Sequence, residues 1–252
     1  MKILITGDTG FVGTHFRNLV ANDHEQYSPI DLELAKGSSR FNLLDPDKAF
    51  AVMEPLSLTH VLHLAWSSSA SSQYDKGQSH SQWADATLAL VKKLSRAGIV
   101  SWVVGTGLEG EKQESKISPY GEAKLKLKSD VLSLGDSSCR WISMPYIFSI
   151  HHQRPRVLKS CLEGEAPMFP DVEKDYLEIR DVALQLRNIV RANSSPISSV
   201  SSRTRIKNSV LCEQVITKRN HRILSSCFCQ TGYVPSSTNS DTHFTSLLLE
   251  KN

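Results

Sequence analysis

The chain has 252 residues, 40% of them hydrophobic and 22% charged, with a formal charge of +3. That balance fits a soluble globular protein long enough to bury a substantial core, as one large domain or two small ones. A charge this small, with no basic stripe interleaved with aromatics, argues against a nucleic-acid partner; no apolar run approaches the roughly 18 residues of a membrane span, and the run at 3–5 is too short for a signal-peptide core.

In chain order, residues 2–6 read as a short buried strand, followed by a glycine turn and a helix over 11–21. A second strand is expected over 27–30, ending on Asp31. Asp45-Pro46-Asp47 reads as a helix start, with a capping carboxylate, proline in the first turn and an acid near the positive end of the dipole. Residues 60–64 form a third strand and the serine-rich stretch 67–81 a loop. Leu88, Val91 and Leu94 lie at helical spacing within 83–97, which Gly98 closes. A strand over 99–104, a helix over 119–134 with Leu125, Leu127, Val131 and Leu134 as its apolar positions, and an extended segment over 141–145 follow. Strands alternating with helices predict an α/β fold, a doubly wound parallel sheet with short right-handed crossovers.

The composition changes near residue 192. Serine pairs (Ser194-Ser195, Ser198-Ser199, Ser201-Ser202, Ser225-Ser226, Ser236-Ser237) are interspersed with Arg203, Arg205, Lys207, Lys218, Arg219 and Arg222. No sustained period is visible there. The chain is expected to divide into residues 1–150, with the cofactor and catalytic groups, and a small atypical subdomain over 151–252 that faces substrate. Cys227 and Cys229 are one residue apart, not two, so the five cysteines give no metal or redox pair. The expectation is reduced thiols in a cytoplasmic protein. His151-His152 has no carboxylate cluster beside it and is read as loop surface, with no metal.

Gly7, Gly10 and Gly13 have the spacing G-x-x-G-x-x-G between a strand and a helix. The first permits a tight turn, the second admits a pyrophosphate against the backbone, and the third lets helix and strand pack closely. The phosphates then meet free N–H groups and the helix dipole. Gly7, Thr9, Gly10, Phe11, Val12 and Gly13 are therefore candidate dinucleotide contacts. A carboxylate at Asp31 would accept hydrogen bonds from the adenosine ribose and repel a 2′-phosphate, which favours NAD over NADP.

Tyr120 and Lys124 are four residues apart and share a helix face. A phenol with a pKa of about 10 is a poor acid-base group near neutrality. A lysine cation and a positive nicotinamide ring stabilise the phenolate, so Tyr120 can exchange a proton with a sugar or alcohol hydroxyl while hydride moves. Thr106 places a hydroxyl at the C-terminal edge of the preceding strand, where open α/β sheets bind ligands. Trp66, also just past a strand end, either contacts ligand or packs; Trp83 and Trp102 are read as core.

The segments Thr6–Gly13, His63-Leu64-Ala65, Gly105-Thr106, Tyr120-Gly121-Glu122-Ala123-Lys124 and 175–183 together resemble the extended short-chain dehydrogenase/reductases, in the NAD-dependent epimerase/dehydratase group that acts on nucleotide sugars. The resemblance spans about residues 1–190 and implies a Rossmann-type domain. It implies Thr106, Tyr120 and Lys124 as catalytic groups, with Leu64 and Ala65 lining the cofactor. It places Asn42 and Leu43 near adenine and Pro145 near nicotinamide. The loop 67–81 and the segment 149–170 would face a nucleotide-sugar substrate, and the helices over 83–97 and 119–134 would form a homodimer.

The sequence departs from that pattern at Glu109-Gly110, where an aromatic is usual, at Met144 in place of arginine, and at Phe148-Ser149 in place of tyrosine-glycine. Gly107-Leu108 after Thr106 lacks the acid-base pair of a 4,6-dehydratase, which leaves a 4-epimerase or a 4-ketoreductase. The tail reads equally as a lost or diverged end, a separate interaction segment, or a diverged small subdomain. The alternative to an enzyme is a non-catalytic dinucleotide-binding or interaction protein on the same fold.

Overall fold

The computed structural model describes residues 1–21, 33–34, 42–66, 79–107, 118–149, 172–193 and 195–216. The chain divides into two compact units, Met1–Met144 with Ala183–Val200, and Pro145–Val182 with Ser201–Asn252.

The first unit is built on β1 (Lys2–Thr6), β2 (Glu33–Leu34), β3 (His60–His63), β4 (Val100–Val104), β5 (Cys139–Ser143) and β8 (Ile197–Ser199). Among the described residues these form a six-stranded sheet in the order β2-β1-β3-β4-β5-β8, every pair parallel. The doubly wound α/β expectation is met. Parallel strands covered on both faces carry apolar residues on both, and all four residues of β3 are buried. The register sorts the two faces. Leu4 pairs with Val61, and Val103 with Trp141. Leu4 and Val61 pack with Ala49 and Met53 of α2 (Pro46–Met53) and with Leu90 and Leu94 of α3 (Ser79–Arg96). Val103 and Trp141 pack with Ala84 and Val91 of α3 and with Leu127 and Val131 of α4 (Pro119–Ser133). Alternation sends Ile3, Leu62, Trp102 and Ile142 to the opposite face, where all four are fully buried. There His60 stacks on Trp102, and Arg140 donates to Asn193 Oδ1 at 2.6 Å.

The helix starts follow from local chemistry. Asp45 caps α2 by accepting from the Lys48 N–H, as expected from its sequence. Ser118 caps α4 by accepting from the Gly121 N–H, with Pro119 in the first turn. One expectation shifts. Helix α3 begins at Ser79, inside the stretch read as loop, because its buried stripe reaches back through Ala84 to His80. The strand beside β1 in the second position is Glu33–Leu34, while the expected strand 27–30 and Asp31 lie outside the described residues.

In the second unit, β6 (Tyr146–Phe148) pairs parallel with β7 (Glu173–Glu178), which pairs antiparallel with β9 (Arg205–Lys207). Phe148, Tyr176, Ile206, Leu211 and Val215 form its core. Helix α5 (Ile179–Ala192) starts on Glu178, whose carboxylate accepts from the Arg180 N–H. Two tail serines have defined roles: Ser201 Oγ donates to Asp175 Oδ2 at 2.7 Å, and the Ser202 N–H donates to Asp175 Oδ1 at 3.0 Å. The tail thus contributes β8, β9 and a helical run over 208–216, each too short to show a sequence period.

Cys139 is a buried free thiol, but Cys212 is disulfide-bonded, so the reduced-thiol expectation fails at Cys212. No helix among the described residues is long and apolar enough to cross a membrane.

Candidate functional site

β1 delivers the glycine turn at its C-terminal end. Gly7 has φ +74°, and a Cβ there would lie 2.7 Å from the Ala65 nitrogen. A Cβ on Gly13 would lie 2.2 Å from the Gly7 carbonyl oxygen. These two glycines are required by the turn itself. Gly10 differs: a Cβ there would meet only the Gly7 carbonyl oxygen, at 3.1 Å. The Gly10 N–H donates to that same oxygen at 2.9 Å and closes the turn. The space beyond Gly10 is therefore kept open by the absence of a side chain, at the start of α1 (Phe11–Ala21). First-turn N–H groups have no partner earlier in a helix, so the cradle fits a pyrophosphate. Asp8, in the turn, pairs with Arg17 of α1 at 3.1 Å.

Beneath the turn lies a buried polar pin. Thr6 Oγ1 is 2.9 Å from His63 Nδ1, and His63 Nε2 is 3.1 Å from Thr87 Oγ1, linking β1, β3 and α3. A neutral imidazole offers one donor and one acceptor, which these two hydroxyls satisfy. Burial pushes the His63 pKa down to about 3, and the Lys124 charge adds to the shift. In the unfolded chain a histidine titrates near 6.5. The unfolded state then binds the proton first, so this contribution is complete above about pH 6.5 and is lost as pH falls toward 3. His60 is depressed in the same direction, chiefly by burial. From pH 7 to pH 5 His63 is expected to remove about 2 kcal/mol of stability. Melting curves of wild type and His63→Gln across that range check this, and parallel slopes in the two proteins would contradict it.

Tyr120 and Lys124 are brought together on α4, but not on a solvated face. Lys124 occupies the helix's buried stripe with Leu127 and Val131, at 4% exposure. A lysine rarely lies there unless its charge is used. Its Nζ donates to the carbonyl of Val104, the last residue of β4, at 2.8 Å. Gly105 and half-buried Thr106 follow directly, and the Gly105 N–H is fixed on Ile142 O at 2.8 Å.

Trp66, three residues beyond β3, completes the cluster. Its ring centroid lies 3.9 Å from Lys124 Nζ, and it meets the Tyr120 ring in a T-shaped contact with centroids 6.0 Å apart. His80 stacks beside Trp66, accepts its indole N–H at 3.3 Å and lies 5.6 Å from the Tyr120 ring. Trp83 also borders Trp66 and is half-buried, whereas Trp102 is core. His80 was not among the sequence candidates. Its signal was present, because His80, Ala84, Thr87, Val91 and Leu94 form one helical stripe.

Other candidates lie elsewhere. Half-buried Leu64 and Ala65 lie against Gly7, and the Ala65 N–H donates to Thr6 Oγ1 at 3.4 Å. Leu43 packs against the Leu4–Val61 cluster, and exposed Asn42 accepts the Leu44 N–H. Pro145 is buried and opens the second unit. Asp31, Glu109-Gly110, His151-His152 and most of both substrate-facing stretches lie outside the described residues. No group of three metal-ligating side chains occurs among the described residues.

Residues 3–195 match the family described as the NAD dependent epimerase/dehydratase family. Similar solved structures include the UDP-glucose 4-epimerase of Thermus thermophilus in complex with NAD, at 20% identity and TM-score 0.62, covering 85% of this chain and 82% of that one. A hypothetical dTDP-4-dehydrorhamnose reductase from Sulfolobus tokodaii has 19% identity and TM-score 0.67, over 86% and 82%. RMD from Pseudomonas aeruginosa, complexed with NADPH, has 20% identity and TM-score 0.64, over 84% and 82%. No curated protein matches the sequence.

Proposed function

The chain belongs to the NAD dependent epimerase/dehydratase family, and from that premise we propose that it is a nucleotide-sugar 4-epimerase or 4-ketoreductase working with a bound nicotinamide dinucleotide. The observation that carries the reading is the buried Lys124 ammonium, fixed on the Val104 carbonyl one turn from Tyr120. A charge costs too much to bury on a helix for decoration alone.

In this reading Gly7, Gly10, Gly13 and the α1 N-terminus hold the pyrophosphate, with Thr9, Phe11, Val12, Leu64 and Ala65 around it. The bound nicotinamide exchanges hydride with a sugar carbon. Tyr120 gives or takes the hydroxyl proton at that carbon, Thr106 hydrogen-bonds the same oxygen, and Lys124 supports the phenolate and the nicotinamide ribose. Residues 151–252 are assigned to the sugar and nucleoside.

NAD is the cofactor that Asp31 favours. One observation favours NADP instead. Lys2 pairs with Glu33 and Ile3 with Leu34, parallel, so the chain at Leu34 runs toward the edge where β1 delivers Gly7. Lys36, Ser38, Ser39 and Arg40, which follow in sequence and lie outside the described residues, are residue types suited to a 2′-phosphate.

Native mass spectrometry of the purified protein tests the function. The expected result is a population carrying one nicotinamide dinucleotide, or taking one up from added NADH or NADPH, and the mass identifies which. A protein that takes up neither would overturn the reading.

A further inference from the structure

We propose that Trp66 is a positioning residue for Lys124: its indole face holds the ammonium against β4, and its indole N–H fixes the ring on His80. The inference rests on the reading of Lys124 as part of the dinucleotide site and extends it to a residue outside the Tyr120–Lys124 helix.

Three contacts fix the Trp66 ring. Its face covers Lys124 Nζ at 3.9 Å, its N–H meets His80 Nδ1 at 3.3 Å, and it makes a T-shaped contact with the Tyr120 ring. Trp83 borders it, with centroids 6.1 Å apart. Indole nitrogen only donates, so His80 Nδ1 is the acceptor and the neutral imidazole carries its proton on Nε2. An aromatic that only filled space would need neither the N–H partner nor the cation on its face. Lys124 is 4% exposed, and its ammonium is held from the ends of two strands, by the carbonyl of Val104, the last residue of β4, and by the indole three residues beyond β3. A cation–π contact is strongest in such a desolvated place.

Trp66 is also tied to the phosphate turn. Its neighbour Ala65 touches the position a Gly7 Cβ would fill and donates to Thr6 Oγ1. One short segment after β3 therefore sets both the floor of the turn and the position of the lysine.

The test has two arms on the full chain, with melting temperature checked for each variant. In the first, lysines are acetylated with acetic anhydride and followed by peptide mass mapping, with exposed Lys126 as internal reference. Lys124 should react slowly in wild type, about tenfold faster in Trp66→Leu, where the cation–π contact is lost, and at a rate between the two in Trp66→Phe, which keeps an aromatic face but loses the N–H bond to His80. If Trp66→Leu does not fold, Trp66→Met replaces it. Equal Lys124 rates in wild type and the aliphatic variant would overturn the proposal, as would a Trp66→Phe rate that matches the aliphatic variant.

In the second arm, NADH is titrated into wild type, Trp66→Leu, Lys124→Met and the double variant. The single variants should weaken binding by similar factors, and the double variant no further, because they remove one coupled interaction. Additive losses would overturn the proposal. Wild type that binds neither NADH nor NADPH would defeat the dinucleotide reading, while the acetylation arm would still decide whether Trp66 holds Lys124.

Discussion

Replacing Tyr120 with phenylalanine is expected to lower turnover by about 10²–10⁴-fold, the contribution of a positioned proton-transfer group, and to leave dinucleotide affinity nearly unchanged. The asymmetry follows from what the substitution removes. The ring survives, and with it the contacts to Trp66 at 6.0 Å and His80 at 5.6 Å that hold this part of α4. Only the phenolic oxygen is lost. Lys124→Met should behave differently, lowering both turnover and affinity, because the ammonium is assigned to the ribose as well as to Tyr120. Steady-state rates on UDP-glucose and on dTDP-4-keto sugars, beside NADH titrations, separate the two variants. Unchanged turnover in Tyr120→Phe would remove the catalytic assignment and favour a non-catalytic dinucleotide-binding protein.

The glycines of the turn should divide by substitution into structural and ligand-facing positions. Gly13→Ala places a Cβ 2.2 Å from the Gly7 carbonyl oxygen and 2.7 Å from Asp8 Cα. Both are backbone atoms that cannot swing aside, and overpacking of this kind costs about 1–3 kcal/mol. Gly7→Ala meets the Ala65 backbone at 2.7 Å and adds a left-handed φ, at a further cost of about 1–2 kcal/mol. Both variants should melt well below wild type with no ligand present. At Gly10 the single neighbour is at 3.1 Å, so a side chain there should perturb the apo fold much less. Equal loss of melting temperature at Gly10 and Gly13 would contradict this division.

The parts of the site that were legible in sequence are those fixed over a few residues. The turn is set by three glycines between a strand and a helix, and the Tyr120–Lys124 pair by a spacing of four. Asp45 at a helix start is equally local. What was hidden depends on non-local packing. That Lys124 lies in the buried stripe with Leu127 and Val131 is decided by β4 and β5 beneath it, not by the polar sequence around it. The His80–Trp66 bond joins residues 14 apart across a stretch that reads as loop. The helical stripe from His80 to Leu94 was readable in principle, but its first apolar member is only Ala84, with Thr87 following. β8 and β9 are three residues each and gain their strand identity from Trp141 and Asp175, far away in sequence. The strand at Glu33–Leu34 leaves little trace in sequence for a related reason: a two-residue pairing with Lys2 and Ile3 carries almost no pattern to detect.

If a nicotinamide dinucleotide lies on the turn at Gly10, Gly10→Val should abolish its binding. Melting temperatures of wild type and Gly10→Val are measured with and without saturating NADH and NADPH. Wild type should be raised by at least one of the two, since binding to the folded state alone raises the transition. The variant should melt near apo wild type and show no rise with either, because its branched side chain fills the phosphate cradle. An equal rise in the variant would mean that the dinucleotide does not lie on Gly10.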